Sequence, residues 1–82
     1  MANRVDAQSV GRMVSVTPSD TARIEPTIGL SVNADGDVNV LLVGMTSPVV
    51  RTVLAGVDYP WRVTAVYSTS TTATGVTALY QN

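Results

Sequence analysis

Apolar residues recur along this chain at every second position, in short runs, and no stretch holds the three-to-four spacing of a convincing amphipathic helix. The clearest run sets Ile28, Leu30 and Val32 against Gly29, Ser31 and Asn33. That period of two predicts a half-buried strand over 28–33. In the next run Val38, Val40 and Leu42 take one face while Leu41 and Val43 take the other. A strand apolar on both faces needs cover on both, from a second layer, from its own N-terminal arm or from another subunit. Residues 38–43 are therefore the expected central strand, with Val40 and Leu42 in the core. Asp35-Gly36 lies between the two runs and can supply the positive-φ residues of a tight turn, which predicts that they form a hairpin.

The same reading extends to both ends. Residues 1–8 have no periodicity and read as an extended N-terminal arm ahead of a single β-domain over 9–82. Val10, Val14 and Val16 predict a short strand interrupted in register by Gly11 and Arg12. Thr17-Pro18-Ser19-Asp20-Thr21 is a turn, because Pro18 fixes φ and Ser19 or Asp20 can accept from nearby backbone N–H groups. Beyond a loop over 44–48, strands are expected over 49–54, 61–67 and 76–80. In the second of these Trp61, Val63, Ala65 and Tyr67 share a face. The low-complexity stretch from Ser68 to Gly75 reads as a solvated hairpin or a crossing loop. The expected fold is all-β, a small sandwich or barrel of about six short antiparallel strands.

Composition strengthens this reading. Fifteen Val and eleven Thr stand against no Phe and no Lys, and side chains branched at Cβ favour the pleated surface over the helix. Charged residues are 13% of the chain, about half the usual share, so much of the surface is expected to be covered by neighbours. An 82-residue domain with no Cys and no His has neither a disulfide nor a zinc site to staple it. Oligomerisation is the remaining staple.

Candidate chemistry is thin. Without His or Cys no Ser-His-Asp triad or thiol nucleophile can be built, so the expectation is a protein that is not an enzyme and takes no cofactor or metal. Asp35 and Asp37 fit a turn better than a Ca²⁺ loop, whose glycine and ligand spacing is missing. Five Arg stand singly at 4, 12, 23, 51 and 62 with a net charge of −1, which gives no basic stripe for nucleic acid. Met1 to Gly11 lacks the apolar core of a secretion signal, and no apolar run is long enough for a bilayer. The reading is a soluble chain made in the cytoplasm, with no membrane partner. Trp61, beside Tyr59 and Pro60, fits the core or a subunit interface better than a ligand platform.

Several blocks carry a resemblance: Thr17-Pro-Ser-Asp-Thr-Ala22, Gly36-Asp-Val-Asn-Val40, Ala55-Gly56 leading to Pro60-Trp-Arg-Val63, and Thr71-Thr-Ala-Thr-Gly75 before Ala78-Leu-Tyr80. In that order and at similar spacing they resemble the small head-spike base proteins of gene transfer agents and related tailed phages, over about residues 16–80. The first and last blocks are the specific ones. The chain departs from the family at Ser31, where an aromatic is common, and at Val57-Asp-Tyr-Pro60, where a Thr-Ile-Leu-Pro run is common. The resemblance implies a virion structural protein, homo-oligomeric and mounted on the capsid surface or a vertex. Its implied partners are the major capsid protein and a spike fibre protein. A vertex position favours a five-fold ring, with three-fold next. The interface candidates are Val5, Val10, Tyr59, Trp61 and Tyr80. The alternatives are a decoration or cement protein bridging capsid subunits, and a carbohydrate-binding module using Trp61, Tyr59 and Tyr67.

Overall fold

The computed structural model describes residues 10–81, and the arm expected over residues 1–8 lies outside the described residues. The described chain forms six strands and no helix: β1 Arg12–Ser15, β2 Gly29–Ser31, β3 Gly36–Leu42, β4 Val49–Val53, β5 Val63–Tyr67 and β6 Thr77–Tyr80. They make two three-stranded antiparallel sheets, ordered β1-β6-β2 and β4-β3-β5. The sheets share one core, in which Leu30, Val32 and Val76 meet Val38, Val40, Val53, Val63 and Val66. The expected all-β class is what the chain adopts.

The expected hairpin is not. β2 pairs with β6, Leu30 opposite Ala78, whereas β3 lies in the other sheet between β4 and β5. The chain crosses between layers at 33–36, held by Asn33 N–H donating to Thr74 O and by Ala55 N–H donating to the Asp35 carboxylate. Gly36 has no positive φ. It is needed for a different reason, since a Cβ there would come within 2.7 Å of the Ala73 backbone nitrogen. Gly75 does need the left-handed region, at φ 65°, and a Cβ on it would strike Asn33.

β3 is central as expected, but its faces are unevenly covered. Val38 and Val40 are fully buried, whereas Leu42 is only half-buried and Val43 is exposed. Leu42 packs on the rim of the core and not within it. β5 also departs from simple alternation. Leu41 pairs with Ala65 but Leu42 with Val63, so Thr64 is an extra residue whose hydroxyl donates to Leu41 O. The bulge turns both Val63 and Val66 to the core and leaves Ala65 on the opposite face with Leu41.

The Ser/Thr stretch is a crossing loop built of hydrogen bonds. Past the end of β5, threonine hydroxyls do the work of a ladder along β3. Thr72 Oγ1 accepts from Asp37 N–H, Thr71 Oγ1 accepts from Asn39 N–H, and Thr72 N–H donates to Asp37 O. Asp20 anchors the start of this loop from 49 residues away, accepting from Thr69 N–H, Thr69 Oγ1–H and Ser68 Oγ–H. Ser19 holds its own turn, accepting from the Thr21 and Ala22 amides.

These bonds to Thr69, with lesser help from Ser68, hold the Asp20 carboxyl below its ordinary value of 3.8. A depressed carboxyl contributes stability that is present above the unfolded value and lost as pH falls through the folded one. Asp20→Asn is therefore expected to reduce stability at pH 7 and to flatten the loss of stability below about pH 4 that the wild type shows. Melting curves from pH 2 to 7 check this, and equal acid sensitivity of the two proteins would sink it.

Candidate functional site

The chemistry this surface offers is that of contact. Among the described residues, no group of three or more His, Cys, Asp or Glu side chains is placed to hold a metal. What stands out is apolar surface. Val49, Val50 and Leu54 are exposed on and after β4, Met13 and Val14 on β1, and Val57 in the loop before Tyr59. β4 begins with two consecutive valines, so one of them faces outward whichever face is buried. Here neither is buried.

Trp61 lines an apolar groove and Tyr59 a second, more polar one. Pro60 separates them in sequence, and their rings stack at 4.7 Å between centroids. Trp61 lines an open groove of about 230 Å³ with Val40, Leu42, Met45, Val49 and Arg51. Its β3 and β4 residues lie on the face of the β4-β3-β5 sheet that also carries the core residues Val38 and Val53. Tyr59 lines a second groove of about 200 Å³ with Val10, Ile28, Asp58, Pro60 and Leu79. Both rings are half-buried, and the Tyr59 hydroxyl accepts from Leu54 N–H. Of the interface candidates, Tyr59 and Trp61 thus stack on each other, Trp61 lining one groove and Tyr59, with Val10, the other.

The other candidates lie elsewhere. Val5 is outside the described residues. Tyr80 is buried within its own chain, its hydroxyl donating to Glu25 O and its ring under the Arg12 guanidinium at 4.3 Å. Burial, and then the Glu25 charge, push its phenol above the ordinary range. Tyr67, the third ring of a glycan platform, sits at the far end of β5 from Trp61, with Arg23 over it. The structure does not bring the three rings together.

The sheet edges are a feature that residue patterns did not reveal. The outer edge of β5 is sealed, because Ser19, Ile24 and Thr27 donate their amides to Val66, Thr64 and Val63 carbonyls. β2 is sealed by Tyr59, which exchanges both backbone bonds with Leu30, and by Gly56 N–H donating to Val32 O. β1 and β4 form the other two edges, and no strand lies beyond either of them among the described residues.

No protein-family model and no curated protein matches this chain.

Proposed function

We propose that the protein is a structural component of a virion, the base of a head spike, seated as a small homo-oligomer on a phage capsid surface or vertex and carrying a fibre. The observation that carries this reading is the open apolar groove beside the stacked Tyr59 and Trp61 rings, lined by Val40, Leu42, Met45 and the exposed Val49 of β4. Contiguous apolar surface of this kind marks sites of association, and the chain has no disulfide to stabilise it alone. The resemblance to spike base proteins supplies the setting. Its two specific blocks are parts of one structural unit, since Asp20 of the first holds the loop leading into Thr71–Gly75.

The test is made on particles. The protein is expected to co-purify with capsids in low copy number, and particles assembled without it should lack spikes. Deleting residues 1–8 should abolish attachment while the melting temperature of the β-domain stays unchanged. Copy number equal to that of the major capsid protein would favour a cement role instead. Absence from particles, together with binding of glycans by a monomer, would overturn the proposal.

A further inference from the structure

Backbone polarity at the two remaining edges can be read from the bonds already described. In an antiparallel ladder, successive residues point their N–H and C=O groups alternately to the two sides. Asp37 and Asn39 give their amides to the Thr71–Thr72 loop on the β5 side. Val38 and Val40 therefore face β4, where their partners are Arg51 and Val49. Val50 and Thr52 are left pointing away from β3. Leu54, next in the alternation, already donates to the Tyr59 hydroxyl. On the other sheet Val16 N–H donates to Val76 O, so Val14, opposite Ala78, faces β6 as well. Met13 and Ser15 point outward. Among the described residues, each of these edges is open and presents two residues separated by one.

We infer that these edges bind each other, the β4 edge of one copy adding the β1 edge of a second copy as the next strand of its sheet. This rests on the homo-oligomer of the proposed function and specifies its contact. Open strand edges are templates for another backbone. Charge argues against β4 pairing with itself. If β4 met itself about a two-fold axis with Val50 bonded to Thr52, Arg51 would stand directly opposite its own copy, a destabilising arrangement. Antiparallel pairing with β1 puts Val14 opposite Arg51 instead. The incoming edge also brings the exposed carboxylate of Glu25, which is ion-paired with Arg12 of β1. Exposed apolar side chains, Val49 and Val50 on one strand and Met13 and Val14 on the other, flank the join. The contact is heterologous and uses both open edges of every copy, so repetition closes a ring when the rotation permits.

Proline at an outward-facing position removes a donor from the open edge but none from the subunit's own ladder. Thr52→Pro and Met13→Pro are each expected to be monomeric by sedimentation velocity, with far-UV circular dichroism matching the wild type. An equimolar mixture should yield dimers and nothing larger, since one variant keeps an intact β4 edge and the other an intact β1 edge. If either variant fails to fold, Val50→Pro or Ser15→Pro takes its place. Hydrogen exchange on the wild type gives an independent reading: the Val50, Thr52, Met13 and Ser15 amides should be protected in the oligomer and lose protection on dilution. Oligomers that persist in both variants would overturn this contact and leave the homo-oligomer standing. Loss in Thr52→Pro alone would point to the two-fold pairing. A wild type that is monomeric throughout would instead remove the reading on which the inference rests.

Discussion

Leu30→Ala is expected to lower the stability of the domain by about 2–5 kcal/mol, the range for truncating a fully buried leucine. Leu30 has no exposed surface and sits where the layers meet. Its own strand is only three residues long, held by β6 on one side and by Tyr59 on the other. Little surrounding structure can collapse into the space, so the cavity cost should be high for a leucine. Total stabilities of small domains run to about 5–15 kcal/mol, and this variant would stand close to unfolding at physiological temperature. Leu42→Ala should cost less, because Leu42 is only half-buried. Urea denaturation of both variants checks the order. A loss under about 0.5 kcal/mol for Leu30→Ala, the scale of surface changes, would mean that the two sheets do not share this core.

The second large effect is expected at Thr27. Its hydroxyl donates to Trp61 O at 2.8 Å and accepts from Val63 N–H at 2.9 Å, at a fully buried position. One side chain thereby joins the segment before β2 to the start of β5 and satisfies two backbone groups. Thr27→Val keeps the shape and removes the hydroxyl. A buried donor or acceptor left without a partner costs about 1–3 kcal/mol, and the Val63 amide is buried, so a loss of at least that size is expected. Thr27→Ser keeps both bonds and should lose much less. Equal losses in the two variants would assign the effect to packing and not to the hydrogen bonds.

Period-two patterning made the strands legible, and it placed Val38–Leu42 at the centre of a sheet. It did not reveal which strands pair. Ile28 to Asn33 alternates in the same way whether its partner is the next strand or β6, and Asp35-Gly36 suits a turn as well as a crossing between layers. Gly36 answers to the passing Ala73 backbone, a contact 37 residues away in sequence that no local pattern carries. The same holds at Thr64, where one bulged residue reverses the faces expected for part of β5, and at Thr27, a polar residue in an irregular stretch that proves fully buried.

The candidate site was legible as far as adjacency allowed. Tyr59-Pro60-Trp61 announces an aromatic cluster, and the rings do stack. Tyr80 carries the same chemistry but lies at the end of the central strand of its sheet, where Arg12 and Glu25 enclose it. The edges were beyond reach of the sequence, because an edge is open or sealed according to loops distant in the chain. Residues 19–27 seal β5 and Tyr59 seals β2, while nothing among the described residues covers β4.

The measurement that bears most directly on this account is the mass of the intact protein in solution, by native mass spectrometry across a hundredfold range of concentration. One closed species is expected at the higher concentrations, a multiple of the 8.6 kDa chain, five copies first and three next. A folded monomer at every concentration would contradict it.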